Sequence, residues 1–448
     1  MRRLFGTDGI RGVANLYPLT PEFAFRLGRA ATAFFKKDEK KPFLAIGRDT
    51  RLSGPMLEES LASGISSAGG DVFKLGVLPT PAIAHLTKSL KADAGIVISA
   101  SHNPYYDNGI KFFSRRGFKL SDDYEIRIEE LLLKKKRVPR PTRRGIGRIY
   151  SIDNAFRRYE EFALKSFPPG LNLRGYKIVV DCANGATYRV APQILRELGA
   201  EVIVLYNSPD GTNINRKCGS LYPEVVRSEV LKKRADVGIS LDGDGDRVIL
   251  IDEKGEVVDG DQVMTLCAQE LIKKRRLHKK TLVATVMSNL GLDLALERMG
   301  GKVIRTPVGD RHVLDKMLKE KLNLGGEQSG HIIFLEHNTT GDGIITALQI
   351  LSIMKKRKKP LSELAQIMEK FPQVLVNVRI KKKKDPMKVL EIKKEIERAG
   401  EKLGSGGRIL VRPSGTEPLI RVMIEGKDKK EIETIARNIS KVIHKKLG

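Results

Sequence analysis

Three segments of this chain repeat one plan, and the repeat restricts the possible fold more than any other feature. Each opens on a β-rich run: Pro42-Phe43-Leu44-Ala45-Ile46-Gly47, Tyr176-Lys177-Ile178-Val179-Val180-Asp181 and Thr281-Leu282-Val283-Ala284-Thr285-Val286. A polar loop follows each run: Arg48-Asp49-Thr50-Arg51, Cys182-Ala183-Asn184-Gly185 and Met287-Ser288-Asn289-Leu290-Gly291. An amphipathic segment comes next and stops at glycine before a second strand, at Gly69-Gly70-Asp71-Val72-Phe73, Gly199-Ala200-Glu201-Val202-Ile203 and Gly300-Gly301-Lys302-Val303-Ile304. The first two copies also share Ala-Asp-x-Gly-Ile, at 92–96 and 235–239. The order β-loop-α-β predicts an α/β class protein in which helices cover mixed or parallel sheets. Ligands then collect at the carboxyl ends of the strands, where the polar loops lie.

The segment from about 370 onward breaks the pattern. It alternates strands (Val374–Val378, Arg408–Val411, Ile420–Ile424) with two helical stretches and reads as a small α+β unit. The predicted organisation is therefore three related α/β domains (1–168, 169–258, 259–369) and a smaller C-terminal α+β domain (370–448). A chain of 448 residues accommodates that number at roughly 150 residues per domain.

Composition excludes several classes. Hydrophobic residues at 41% and charged residues at 30% describe a globular chain. No stretch reaches the ~18 uncharged apolar residues needed to cross a bilayer, and Met1–Asp8 turns polar at once, unlike a signal peptide. Cys182, Cys218 and Cys267 are too few and too dispersed for a disulfide framework or a zinc knuckle. A cytoplasmic location is expected. The net charge of +27 raises nucleic acid or an anionic membrane as partners. However, the basic runs Lys134–Arg137, Lys273–Arg276, Lys355–Lys359 and Lys381–Lys384 carry no interleaved Phe or Tyr to stack bases, and they read as solvated surface.

Four loops can carry chemistry. Ser99-Ala100-Ser101-His102-Asn103-Pro104 follows an apolar strand and presents a hydroxyl suited to group transfer. It lacks the Gly-x-Ser-x-Gly elbow of a hydrolase, and Ser101 and His102 are expected to point apart in an extended loop. Lys111 returns on the next apolar strand and can reach the same place. Asp242-Gly243-Asp244-Gly245-Asp246-Arg247 sets three carboxylates at alternate positions, which repel one another unless a cation sits among them. Hard oxygen donors favour magnesium, manganese or calcium, and Arg247 stands where an EF-hand needs glycine. Gly326-Glu327-Gln328-Ser329-Gly330-His331 offers acceptors and donors for sugar hydroxyls. Arg412-Pro413-Ser414-Gly415-Thr416-Glu417-Pro418 with Arg421 presents hydroxyls, backbone N–H groups and guanidiniums fit for a phosphate dianion. One nucleophile, one cation site, one polyol site and one phosphate site describe phosphoryl transfer on a sugar phosphate.

In this order, the loops resemble the α-D-phosphohexomutase superfamily, from Phe5-Gly6-Thr7-Asp8-Gly9-Ile10-Arg11-Gly12 to Arg421. The resemblance implies four domains around a central cleft and an isomerase that moves a phosphoryl group within a hexose phosphate. It implies that Ser101 carries the phosphoryl group, that Asp242, Asp244, Asp246 and the Ser101 phosphate hold Mg²⁺, and that Arg11, Lys111 and His331 lie near the reacting oxygens. Arg247, Glu327 and Ser329 would bind the sugar phosphate, and Arg412, Ser414, Gly415, Thr416 and Arg421 would grip the phosphate not being transferred. Gln328-Ser329 after Glu327 and Tyr105-Tyr106-Asp107 after Pro104 resemble the glucosamine branch. That branch interconverts glucosamine 6-phosphate and glucosamine 1-phosphate, feeds UDP-N-acetylglucosamine synthesis, and is primed by glucose 1,6-bisphosphate or glucosamine 1,6-bisphosphate. A cytoplasmic homodimer is implied with it. The alternatives are the same chemistry on mannose or glucose phosphates, and a non-catalytic protein that binds nucleic acid or another anion.

Overall fold

The computed structural model describes residues 4–6, 8–36, 40–133, 138–381, 385–414 and 418–448. Its strands form four sheets. The first has six strands, in the order Ile10–Val13, Asp107–Ser114, Ala94–Ile98, Phe43–Arg48, Asp71–Val77 and Ile149–Ser151. The second runs Val257–Val258, Val248–Asp252, Val237–Leu241, Lys177–Asp181, Glu201–Leu205, and the third Lys302–Thr306, Thr281–Thr285, Leu324–Gly326, Ile332–Phe334. Each of these three sheets contains the same four-strand unit. A central strand pairs in parallel with two neighbours, and a fourth strand adds antiparallel beyond the second neighbour.

The repeat extends to single hydrogen bonds. Asp93 and Asp236, matched in the shared Ala-Asp-x-Gly-Ile, each accept from the N–H that opens the central strand, Phe43 at 3.0 Å and Lys177 at 2.7 Å. At the strand's other end Asp49, Asp181 and Thr285 each accept from the N–H two residues on. Such a bond turns the chain out of the sheet before the helix begins. The fourth sheet, Gln373–Arg379, Leu419–Gly426 and Gly407–Pro413, is antiparallel, with the helices Leu390–Leu403 and Lys429–Leu447 packed on it around Ile392, Val422 and Ile439. All three repeat sheets are mixed.

The helices start where local chemistry favours it. Asp259 and Gln262 form a capping box for Gly260–Lys273, and Asp342 caps Gly343–Arg357 through the Ile345 N–H. These two helices end in the basic runs at 273–276 and 355–359, where cations complement the exposed carbonyls. That accounts for part of the basic surface by helix electrostatics alone. The stretch expected to be an exposed excursion, 134–148, is described from Val138 on. Most of it is exposed, and it is pinned to the first unit where Val138 O accepts from Arg29 at 2.8 Å and Arg148 N donates to Asp71 at 2.7 Å.

Glycine fixes the junction of the second and third sheets. Gly330 has φ +89°, and a Cβ there would stand 2.0 Å from the Val248 carbonyl oxygen; its own carbonyl accepts from the Val248 N–H at 3.2 Å. Gly330→Ala must strain the backbone or part the two loops, at on the order of 2–3 kcal/mol. Calorimetry should show a Tm several degrees lower, whereas an unchanged Tm would mean the junction yields without cost.

Candidate active site

The three sequence-predicted loops of the repeat occupy one topological position, between the last two strands of the four-strand unit. Ser99–Pro104 joins Ala94–Ile98 to Asp107–Ser114, Asp242–Arg247 joins Val237–Leu241 to Val248–Asp252, and Glu327–His331 joins Leu324–Gly326 to Ile332–Phe334. They converge. Ser101, which is 1% exposed, donates from Oγ to Asp242 Oδ2 at 2.7 Å, and Arg247 and His331 close the other side of the acidic loop.

A residue with φ +52° is unusual for serine, and Ser101 is held there from several sides. Its N–H donates to Ser99 Oγ, which donates to Asp49. Asp49 pairs with Arg51 at 2.8 Å, both side chains being fully buried. The Arg51 guanidinium then donates to the carbonyls of Ser101 (2.9 Å), Asn103 (2.8 Å), Pro104 and Asp107 (3.0 Å). Asn215, from the second unit, donates to two of the same carbonyls. The left-handed turn corrects one expectation: Ser101 and His102 do not point apart, because Oγ and the ring Nδ1 lie 3.3 Å from each other. Arg247 donates to that Nδ1 at 3.2 Å, while burial and the Arg247 charge push the imidazole down to about 4. His102 is therefore a neutral acceptor at physiological pH.

Asp242, Asp244 and Asp246 are buried, and each offers an oxygen within 4.8 Å of the others. Burial, with Asp244 and Asp246 beside it, pushes Asp242 well above the usual carboxylate range. Burial also opposes charge on Asp244, but Lys111 at 3.1 Å and the Thr80 hydroxyl at 2.7 Å hold it below that range. Asp244 Oδ1 and Asp246 Oδ1 are buried and accept no hydrogen bond from the described residues, although Arg247 Nε lies 3.8 Å from the latter. Unpaired buried carboxylate oxygens are costly, and a hard divalent cation satisfies both. Gly243 keeps the loop close, since a Cβ there would meet Ser101 O and the Asn215 amide at 2.7 Å. The cluster is a candidate metal site.

Lys111, on Asp107–Ser114 opposite Val97, spans Asp244 and Asp8 at 3.1 and 3.0 Å. Burial disfavours its charge, but the two carboxylates raise its pKa, so it stays an ammonium. Arg11 pairs with Asp8. His331 sits 3.5 Å from Asp246 and 3.6 Å from Asp310, and takes the Gly341 N–H at 3.1 Å. Burial opposes its protonation, but Asp246 and Asp310 outweigh that and raise its pKa. Glu327 Oε1 accepts from the Gly309 N–H at 3.0 Å, and Ser329 is exposed at the rim. In the fourth sheet Arg412 and Arg421 are direct cross-strand partners. Like charges placed opposite one another are destabilising unless an anion lies between them, and the Arg421 charge and burial depress the Arg412 pKa. Ser414 donates its N–H to Leu419 O; Gly415 and Thr416 lie outside the described residues.

Sequence reasoning did not single out Asp8, Asp49, Arg51, Thr80, Lys119, Asn215 or Asp310. Asp49 and Arg51 were visible only as a polar loop.

A buried hydroxyl against an acidic trio and flanked by cations, in a chain whose fourth sheet also pairs two arginines across its strands, defines a phosphoryl-transfer enzyme. The chain belongs to the phosphoglucomutase/phosphomannomutase family. The family's α/β/α domain I matches residues 2–138, domain II 163–255, domain III 259–371 and the C-terminal domain 375–442. It is thus an isomerase of the phosphohexomutase class. A phosphoglucosamine mutase of Citrifermentans bemidjiense is 57% identical over 449 residues, covering 100% of this chain and 99% of that protein. One from Geobacter metallireducens is 57% identical with both chains covered in full. Among solved structures, a phosphoglucomutase/phosphomannomutase family protein of Burkholderia thailandensis superposes with TM-score 0.82 at 23% identity, over 100% of this chain and 99% of that one. An Aspergillus fumigatus N-acetylphosphoglucosamine mutase, solved with GlcNAc-6P and magnesium, gives 0.69 at 18% identity, over 99% and 96%.

Arg51→Lys should lower turnover ~10²-fold with KM within ~3-fold, because a point ammonium cannot hold four carbonyls and the Ser101 loop loses its position. Steady-state kinetics checks this, and near-normal turnover would remove Arg51 from that task. Asp244→Asn should weaken Mg²⁺ binding at least ~10-fold in calorimetry, and an unchanged isotherm would place the metal elsewhere.

Proposed function

We propose that the protein interconverts glucosamine 6-phosphate and glucosamine 1-phosphate through a phosphoserine at Ser101. The observation that carries this reading is the Ser101 hydroxyl, buried in a restrained left-handed turn with its Oγ 2.7 Å from the acidic trio. Identity of 57% to phosphoglucosamine mutases over the full length supports the glucosamine substrate. The four domains are assigned as 1–168, 169–258, 259–369 and 370–448.

In the first half-reaction the O1 hydroxyl of glucosamine 6-phosphate attacks the phosphorus on Ser101. The P–Oγ bond breaks, a P–O1 bond forms, and the proton of O1 is matched by one delivered to Oγ. Lys111, kept as an ammonium by Asp8 and Asp244, gives Oγ its proton and recovers the one released from O1, and Arg11 and His331 balance charge on the moving group. Arg412, Ser414, Gly415, Thr416 and Arg421 hold the other phosphate, Arg247 the sugar phosphate near the serine, and Glu327 and Ser329 the hydroxyls. The 1,6-bisphosphate then turns over, and its 6-phosphate returns to Ser101 by the reverse sequence. Mg²⁺ held by Asp242, Asp244, Asp246 and the Ser101 phosphate supplies charge neutralisation for phosphoryl transfer when bound. Glucose 1,6-bisphosphate or glucosamine 1,6-bisphosphate primes a serine that has lost its phosphoryl group.

No helix among the described residues is long and apolar enough to cross a membrane. A cytoplasmic homodimer belongs to the same reading, on the family resemblance. Nucleic acid is not assigned as a partner, since two of the four basic runs complete helix C-termini.

Phosphorus NMR of glucosamine, mannose and glucose 6-phosphates, with Mg²⁺ and a trace of glucose 1,6-bisphosphate, tests the proposal. Rapid 1-phosphate formation chiefly from glucosamine is expected, with Ser101→Ala at least ~10³-fold slower yet folded. A ~100-fold preference for another hexose would overturn the substrate, and normal turnover by Ser101→Ala would overturn the mechanism.

A further inference from the structure

We propose that Lys119 is a positioning residue. Its ammonium ties Asp8, which aims Arg11 and Lys111, to Asp310, which faces His331, and so sets the catalytic groups of the first and third units in one register. The inference rests on the mutase reading above, which assigns reacting roles to Arg11, Lys111 and His331 but none to Lys119.

The side chain is only 9% exposed and forms ion pairs with Asp8 Oδ1 and Asp310 Oδ2. The second oxygen of Asp8 is shared by Lys111, at 3.0 Å, and Arg11. Asp310 Oδ2 also lies 3.6 Å from His331 Nε2. One nitrogen thus links two carboxylates from different units, Asp8 just before the strand Ile10–Val13 and Asp310 at the start of the helix Asp310–Glu320, each in contact with a different part of the reacting centre. Lys119 itself reaches neither Ser101 nor the acidic trio among the hydrogen bonds and ion pairs found, so it acts through its neighbours.

The backbone around it is built to hold that place. Lys119 bridges Phe113 in antiparallel fashion, and the Ser114 N–H and Leu120 N–H close the hairpin onto Phe118 O and Phe112 O. Phe118, at the tip, packs against the third unit's cluster of Val283, Val313, Leu314, Met317 and Ile333. Arg311, next to Asp310, reaches back to Asp122 (2.6 Å) and Glu125 (3.1 Å) of the first unit. Those contacts hold the two units together, largely out of solvent. Lys119 adds an interaction at the inner end, where the apolar contacts do not reach and where two carboxylates would otherwise repel. Arg11 and Lys111 already serve Asp8, so the charge of Asp310 is what requires a third cation. A register error of about 1 Å is enough to cost ~10²-fold in rate when groups from two bodies must meet.

The test compares full-length wild type, K119M, K119R and the charge-balanced double variant K119M/D310N by kcat and KM for glucosamine 6-phosphate, thermal melting, and hydrogen exchange. K119M should lower kcat at least ~30-fold with KM within ~3-fold when assayed well below its Tm, which should itself fall because two buried carboxylates lose their shared cation. K119R should recover to within ~5-fold of wild type, because a guanidinium fork also spans two carboxylates. K119M/D310N should be no slower than K119M alone. Hydrogen exchange in K119M should quicken both at Ile10–Val13 and at the start of Asp310–Glu320. Wild-type kcat in K119M, a change in KM alone, or equal melting of K119M and K119R with equal loss of rate would each overturn the inference. A wild type without turnover refutes the mutase reading instead, and hydrogen exchange then decides Lys119 by itself: unchanged exchange at both segments rejects the tie, and faster exchange at both supports it.

Discussion

Three carboxylates share a space in which each offers an oxygen within 4.8 Å of the others, out of solvent, and most of the molecule's polar architecture answers that fact. Buried like charges are tolerated only when cations or donors face them. Here Lys111 meets Asp244, Arg247 meets Asp246, His331 stands beyond Asp246, and the Ser101 hydroxyl meets Asp242. Each partner comes from a different loop or strand. The requirement to neutralise the trio is therefore also a requirement that the first and third units be brought up to the second. Two oxygens of the trio accept no hydrogen bond among the described residues, which makes the cluster a candidate metal site.

A second set of constraints keeps the nucleophile loop from relaxing. Ser101 sits in a conformation a serine rarely takes, and the buried Asp49–Arg51 pair offsets the strain by tying down the carbonyls around it. A buried ion pair seldom adds much stability compared with an apolar one. Its use here is geometric, since a planar fork with five donors can fix several carbonyls at once. The same division of labour recurs at the junctions, where Gly330 and Gly243 admit backbone contacts too close for any side chain, and polar side chains then set the spacing.

Much of this was legible in the residues. The three repeats were visible because each begins with the same apolar strand and ends its helix at glycine, and periodicity of that kind survives any loop variation. The metal loop was legible because alternate Asp and Gly leave little else for the carboxylates to do. Arg412 and Arg421 stood out in the sequence as a pair able to hold an anion, although only pairing across the sheet shows that they are direct partners. By contrast, Asp8, Lys119 and Asp310 carried no signal. Neighbours in the chain do not reveal the role of any of the three, because what matters about them is a meeting between positions more than a hundred residues apart. The expectation that Ser101 and His102 diverge failed for a related reason: the φ of a single residue is set by what surrounds the loop, and Arg51 and Asn215 do that from afar.

The sequence by itself determined the α/β class, the repeat, the loops that bear the chemistry, and the residues able to carry a phosphoryl group, a cation and an anion. Those properties follow from local periodicity and from the chemistry of side chains close together in the chain. Tertiary structure alone decided that the three loops occupy equivalent positions and converge, that Lys111 is shared between Asp8 and Asp244, and that two units are tied at the site by Lys119. Protonation states were decided there too, because burial and distant charges set them: His102 falls to about 4 while His331, another imidazole, moves the other way. The energy of a charge depends on everything within several ångströms of it, and that neighbourhood exists only once the chain has folded.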